Sequence, residues 1–332
     1  MNIAEKEAAL VRLGKYLASN SEELQTVKER AFAANGWFIP EFIDQSLENI
    51  CRYFLEPAAL QQWLQRYPAA ASSRAPKKVG IVAAGNIPLV GFHDWLCGFL
   101  SGHQVKMKLS SKDEILMRHI FNKIAEWYPE EAGQTEVLDM LKNCDAYIAT
   151  GSNNSARYFN YYFSKYPSII RHNRTSAAVL TGAETSTELE ALADDIMIYF
   201  GLGCRNVTKV FVPEQYNFEP LLQALRKYDY LADHHKYKNN YDYNLALLLL
   251  NNSQYLSNGS ILLHEAASLF SALSVLHYGY YKDIRQLQQD LQQEESLQCL
   301  VGKSFIPFGN AQQPTLSDYA GGVDTMEFLL SL

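Results

Sequence analysis

The segment Gly201-Leu202-Gly203-Cys204-Arg205-Asn206 is the part of this chain best equipped for nucleophilic chemistry. Glycines at 201 and 203 open the backbone around Cys204 and leave its thiol approachable. The thiolate is the reactive form, and Arg205 together with a following helical turn would lower the thiol pKa from its free value of about 8.5. An inert loop cysteine fits the same residues.

A second candidate is Gly85-Asn86-Ile87-Pro88, directly after the apolar run Val79-Gly80-Ile81-Val82-Ala83-Ala84. Such a run reads as a buried parallel strand, and ligands of open α/β folds bind at the carboxyl edge of the sheet. The Asn86 carboxamide could there donate to a developing oxyanion. An Asx-type turn leading into a helix is the alternative. The third candidate is Thr150-Gly151-Ser152-Asn153, between an apolar strand and a helix. Gly151 lets the backbone approach a ligand, while Ser152 and Asn153 can cap the helix and leave N–H groups for an anion. A plain helix cap would look the same. The dinucleotide fingerprint GxGxxG is absent, so an ordinary Rossmann site is not supported. Lys106, Lys108 and Lys112 form the most suggestive basic cluster, enough for one small phosphate.

The elements that must position these residues follow from periodicity. Leucines at 10, 13 and 17, then Leu47, Ile50, Tyr53 and Phe54, then Leu60, Trp63, Leu64 and Tyr67 mark helices over residues 1–70. Residues 69–78 (AAASSRAPKK) read as a connector. From 78 the pattern becomes strand, helix, strand, helix, strand, helix: strands at 79–84, 104–109 and 145–150, helices at 88–100, 112–127 and 153–166. This predicts a doubly wound α/β domain. A second α/β unit begins near 176, with strands at 177–180 and 209–212, helices at 186–200 and 218–227, and further strands at 244–250, 261–263 and 272–277. Tyrosines 158, 161 and 162 read as packing. His234-His235 sits in a tyrosine-rich loop without a carboxylate at metal-site spacing, and no metal site is expected. Residues 286–295 read as a solvated helix face.

Composition narrows the class. The 332-residue chain carries a net charge of −7 and no basic stripe, against a nucleic-acid partner. Its charged N-terminus lacks the apolar core of a secretory signal, and the run Leu245–Leu250 is too short to span a bilayer. Five scattered cysteines without CxxC spacing suit a reducing cytoplasm.

Taken in order, these segments resemble the aldehyde dehydrogenase superfamily. Gly85-Asn86-Ile87-Pro88 looks like its Asn-Phe-Pro segment, and Trp95 to Gly102 like the helix that follows. Val105-Lys106-Met107-Lys108-Leu109-Ser110 looks like the strand ending in Lys-Pro-Ser, and Thr150-Gly151-Ser152 is identical to the family's Thr-Gly-Ser. Gly203-Cys204 falls at the nucleophile. Residues 269–275 and Pro307-Phe308-Gly309 look like the Ile-Phe-Gly-Pro-Val and Pro-Phe-Gly segments. Within the superfamily the likeness is to the long-chain acyl-CoA reductases of bacterial luminescence systems, on the Gly-Asn-x-Pro edge, Arg171-His172-Asn173-Arg174 and Cys204-Arg205-Asn206.

The resemblance implies an α/β, aldehyde dehydrogenase-like fold of two doubly wound domains with an N-terminal helical region. Expected boundaries are 1–75 helical, 76–175 NADP-binding, 176–310 catalytic, and 311–332 a tail packing back on the core. It implies reduction of an acyl-CoA or acyl-carrier-protein thioester to an aldehyde, with Cys204 as nucleophile and Asn86 in the oxyanion site. The cofactor would be NADPH, bound by Lys108, Ser110, Ser111, Gly151 and Ser152, and a homo-oligomer would fit family habit. A reductase of an acyl phosphate, or a non-catalytic acyl-binding protein, is the alternative. Three departures bear on this. Residues 169–178 contain no acid where hydrolytic members place a water-activating glutamate, which suits a reductase whose acyl-enzyme must persist. Ser111 replaces the ribose-binding glutamate, and with Lys108 and Lys112 nearby it would admit a 2′-phosphate. Ser268 replaces a third glutamate, for which Glu265 is the nearest substitute.

Overall fold

Burial of three leucine stripes builds the first helices of the computed structural model, which describes residues 1–19, 21–71 and 75–332. Helix α1 (Ile3–Leu17) buries Leu10, Leu13 and Leu17 and opens on a capping box between Asn2 and Glu5. Helices α2 (Glu22–Ala34), α3 (Pro40–Asn49) and α4 (Pro57–Leu64) follow, with a π-helical turn at Ile50–Phe54 joining the last two. Of the connector expected at 69–78, residues 72–74 lie outside the described residues.

The chain separates into two compact units, residues 1–173 with 314–332 and residues 174–313. The first holds β1 (Lys78–Val82), α5 (Phe92–Ser101), β2 (Gln104–Lys108), α6 (Ile115–Trp127), β3 (Thr135–Val137), β4 (Ala146–Thr150), α7 (Asn153–Phe163) and β5 (Ser168–Arg171). Its five strands run parallel in the order β3-β2-β1-β4-β5. The chain builds outward from β1 to one side and then from β4 to the other. The loops after β1 and β4 therefore diverge at a topological switch point, where open α/β sheets bind ligands.

The second unit holds β6 (Thr175–Val179), α8 (Ser186–Met197), β7 (Val207–Pro213), α9 (Glu219–Leu225), α10 (His235–Leu250), β8 (Tyr255–Ser257), β9 (Leu262–Glu265), β10 (Val275–Tyr281), α11 (Ile284–Gln292) and β11 (Leu297–Val301). Its sheet order is β11-β6-β7-β10-β9-β8, parallel except for the edge strand β8. Helix α12 (Thr325–Leu330) returns to the first unit and packs on α5.

Four expectations are corrected. The run at 244–250 is the end of α10, not a strand, and Leu249 and Leu250 are exposed. Tyr237, Tyr241 and Asn244 are buried at spacings of four and three, so the polar half upstream carries the helical period that six apolar residues alone cannot reveal. The helix expected from Pro88 begins only at Phe92, because Leu89 adopts a left-handed φ of 59°. Tyr158, Tyr161 and Tyr162 are exposed by 60–79 %, since Ala156, Phe159 and Phe163 form the inward row of α7. His234 is not merely a loop residue: its ring packs on Phe200, and His235 opens α10. Four short strands, β3, β5, β8 and β11, carry no clear sequence signal.

Candidate functional site

In the first unit the loops after β1 and β2 are brought together. The Ala83 N–H donates to the Lys108 carbonyl at 3.0 Å. A side chain at Gly85 would place its Cβ 2.5 Å from that of Ser110, so only glycine permits the approach. Asn86 is exposed on the same turn. What shapes the turn is Asp113, a buried acid the sequence reading passed over. Its carboxyl accepts the Leu89 N–H at 2.7 Å, where the backbone is left-handed, and Ser46 donates to the Pro88 carbonyl at 2.8 Å. Burial pushes the Asp113 carboxyl up to about 7, against the pull of the Leu89 and Val90 N–H groups.

The lysine cluster divides. Lys106 is ion-paired with Glu136 on the neighbouring strand. Lys108 is exposed and donates to the Asp139 carbonyl at 2.6 Å; Ser111 and Lys112 are exposed beside it. A phosphate at this edge would thus meet Lys108 and Lys112, with Lys106 already neutralised.

Across the switch point, β4 ends at Thr150 and α7 begins at Asn153. Ser152 is the N-cap, its Oγ accepting the Ser155 N–H at 3.3 Å. A Cβ at Gly151 would sit 2.9 Å from the Ser155 Cβ and 3.0 Å from the Phe159 ring. Gly151 is thus needed for the turn to pack against its own helix, whose first N–H groups are of the kind that can meet an anion. Thr150 is tied down by a residue whose role the sequence reading missed. Buried Arg171 grips Asp94 with both terminal nitrogens, at 2.6 and 2.9 Å, and reaches Thr150 Oγ1 at 3.2 Å and Thr325 Oγ1 at 2.9 Å. The fork of the guanidinium suits this four-way contact, which a lysine could not make.

In the second unit Cys204 lies half-buried in the turn between α8 and β7. The residue after the turn enters a strand, so the helical turn expected after Cys204 is absent; Val207 is already paired with Ser176 on β6. The approach to the turn is strained. Tyr199, Phe200 and Gly201 are successively left-handed at φ of 58°, 57° and 75°, and both aromatic residues are buried. Non-glycine residues adopt this region only when their surroundings impose it.

Asn206 imposes it here. Its fully buried carboxamide accepts the Gly203 N–H at 2.8 Å and donates to the carbonyls of Asp195, Ile196 and Ile198 at 3.1, 3.2 and 2.8 Å. One side chain thereby ties the end of α8 to the start of the cysteine turn. Asp195, also fully buried, extends the brace by accepting the N–H groups of Gly309 and Ala311 at 2.7 and 2.8 Å. Arg205 donates to the Ala311 carbonyl at 3.2 Å, and Ser176 to the Cys204 carbonyl at 3.0 Å. Burial pushes the Asp195 carboxyl up to about 7, opposed by its two N–H partners. Elsewhere in the unit Lys209 donates to the carbonyls of Ala266 and Ala267, and Glu265 bears electrostatically on that ammonium.

The family model described as acyl-CoA reductase (LuxC) matches residues 15–228. No curated protein matches the chain. Among solved structures, a Mycobacterium tuberculosis aldehyde dehydrogenase complexed with NAD+ superposes with a TM-score of 0.67 at 14% identity, covering 89% of this chain and 72% of its own. A P. syringae indole-3-acetaldehyde dehydrogenase mutant complexed with NAD+ and IAA gives 0.66 at 12%, covering 91% and 72%. Aldehyde dehydrogenase 21 from Physcomitrella patens, in complex with succinate, gives 0.66 at 11%, covering 91% and 74%. The aldehyde dehydrogenase-like fold is thus the fold of this chain. Among the described residues, no helix is long and apolar enough to cross a membrane.

Proposed function

The chain belongs to the LuxC family of acyl-CoA reductases, and on that premise we propose that it reduces an acyl thioester to an aldehyde with NADPH, through an S-acyl intermediate on Cys204. The Cys204 thiolate attacks the thioester carbonyl. The carbonyl–sulfur bond to the carrier breaks, the carrier leaves as its thiolate, and the acyl group remains on Cys204. The Asn86 carboxamide and the Cys204 N–H are assigned to the developing oxyanion, each donor lowering the barrier by about 3 kcal/mol.

NADPH, when bound, supplies the hydride that takes the acyl group to the aldehyde level. Gly151 and Ser152 would hold its pyrophosphate, and Lys108, Ser110 and Ser111 its adenosine ribose and 2′-phosphate. The fit is supported by the two glycines that let these turns pack closely, Gly85 against Ser110 and Gly151 against Ser155, and by the N-terminus of α7 that follows Ser152. Residues 169–178 carry no carboxylate to activate water, which favours an acyl-enzyme that waits for reduction. The donor is acyl-CoA or an acyl-carrier protein, and five cysteines present as thiols fit a cytoplasmic setting.

One observation carries this reading: buried Asn206 ties the end of α8 to Gly203 across the left-handed stretch Tyr199-Phe200-Gly201, and so holds the half-buried turn that bears Cys204. Intact mass spectrometry after exposure to a panel of acyl-CoAs without reductant tests it. The expected result is one acyl adduct per chain, mapped to Cys204. An unmodified chain that nevertheless oxidises NADPH with acyl-CoA would sink the intermediate.

A further inference from the structure

The Ser176 hydroxyl lies in contact with two sulfur-bearing residues of the second unit at once. Its Oγ is 3.0 Å from the backbone carbonyl oxygen of Cys204 and 3.0 Å from the Sγ of Cys299. Ser176 is fully buried on β6, and Cys299 sits opposite it on the paired strand β11. No solvent competes for the hydroxyl.

A serine hydroxyl has one proton to give. The Cys204 carbonyl has none, so the Ser176 proton must point to it. The contact with Cys299 is then satisfied only if the thiol donates its own proton to the Ser176 oxygen. The order is fixed: Cys299 S–H to Ser176 O–H to Cys204 C=O. Burial pushes the Cys299 thiol above its ordinary pKa, which keeps that proton in place.

The consequence falls on the nucleophile. Asn206 fixes the turn from the Gly203 side, through the Gly203 N–H. The plane of the peptide after Cys204 is fixed separately, by Ser176. Two anchors, one on each side of Cys204, hold the backbone from which its Sγ and N–H project. Attack on a carbonyl is sensitive to such orientation, and a small misplacement costs rate without costing affinity.

We propose that Ser176 and Cys299 are positioning residues for Cys204, acting in series, with Cys299 orienting the hydroxyl that in turn holds the nucleophile's carbonyl. This rests on the assignment of Cys204 as the acyl-bearing nucleophile and adds two residues that act through its backbone carbonyl.

A double-mutant cycle read by the rate of Cys204 acylation tests the series arrangement. The full-length chain is mixed with acyl-CoA, quenched and followed by mass spectrometry, with thermal melts run in parallel to confirm folding. Ser176→Ala is expected to slow acylation about ten-fold while leaving the acyl-CoA concentration dependence unchanged, the equivalent of about 1.4 kcal/mol in the barrier. Cys299→Ala should slow it about three-fold, by freeing the hydroxyl to rotate. Cys299→Ser keeps a donor and should recover most of that loss. The Ser176→Ala/Cys299→Ala double variant should be no slower than Ser176→Ala alone, because removing the second link of a broken chain changes nothing. Independent, multiplying effects would overturn the proposal, as would wild-type acylation in Ser176→Ala. If the parent chain itself acquires no acyl group on Cys204, the underlying assignment fails instead, and the two failures are told apart by that control.

Discussion

The two units prepare their functional turns by opposite means. In the first, the turns after β1 and β4 are packed tightly around glycines whose neighbours leave no room for a side chain, and the second is closed by a cap within three residues. In the second, the Cys204 turn is closed by polar groups that are distant in sequence: Ser176, Asp195 and the 309–311 segment all converge on it. A ligand cradle needs exposed N–H groups and a close approach, which local backbone supplies. A nucleophile needs one orientation, and the left-handed aromatic pair Tyr199-Phe200 persists only because buried partners over-determine it.

The largest expected difference between the units is chemical. Cys204→Ala should abolish acyl-CoA reduction, by about ten-thousand-fold, with little change in melting temperature because the side chain is half-exposed. NADPH binding, followed by fluorescence titration, should be retained. Loss of cofactor binding in that variant would break the separation of roles.

Asn206→Ala is the structural counterpart and should be the most damaging substitution to stability. It leaves three carbonyls and the Gly203 N–H buried without their partner, at about 1–3 kcal/mol for each group that finds no water. A melting temperature within a degree or two of the parent would show that the turn is held by packing instead.

Both units bury a carboxyl with a raised pKa, Asp113 in one and Asp195 in the other, each pushed up to about 7. In the unfolded chain such groups titrate near ~3.9. Between about pH 4 and 7 the folded protein holds protons that the unfolded chain has lost. Their contribution to stability is therefore greatest at the acid end of that window and falls as pH rises through about 7, by up to about 1.4 kcal/mol per pH unit for each group. Melting curves of Asp113→Asn and Asp195→Asn should each be flatter across this window than the parent's. Parallel curves would mean that the N–H partners keep both groups ionised.

Gly151→Ala tests the cradle alone. The added methyl must displace Ser155 or Phe159, and the variant should raise the KM for NADPH about ten-fold while kcat at saturating cofactor is nearly kept. An equal fall in kcat would place this turn in the chemical step.

How much of this was legible in the sequence follows from the same contrast. The strand–Gly–Asn edge at 85–86 and the Thr150-Gly151-Ser152 cap are local, so their residue types announce them. The knot is not local. Asn206 looks like any residue after an arginine until the carbonyls of Asp195, Ile196 and Ile198 are seen around it, while Asp113 looks like an ordinary acid ahead of a helix and Asp195 like one in a helix's last turn. Arg171 stands out in the sequence only as part of a stretch, because its grip on Asp94 and Thr325 spans 77 and 154 residues. Where reading failed outright, at 244–250, the cause was length: six apolar residues fit a strand or the last turns of a helix equally well.

The smallest predicted effect concerns cofactor choice at the ribose edge. Lys108 is exposed, and part of its donor capacity goes to the Asp139 carbonyl, while Lys106 is neutralised by Glu136. Screening by solvent limits what one such ammonium contributes to a phosphate contact. Lys108→Ala should therefore lower kcat/KM with NADPH by only about five-fold, and leave kcat/KM with NADH unchanged. The comparison of the two cofactors within one variant isolates the 2′-phosphate from everything else the lysine does. An equal loss with both would assign Lys108 to the architecture of the β2–β3 edge, and a parent enzyme faster with NADH would remove the reason for reading Ser111 as an opening for phosphate.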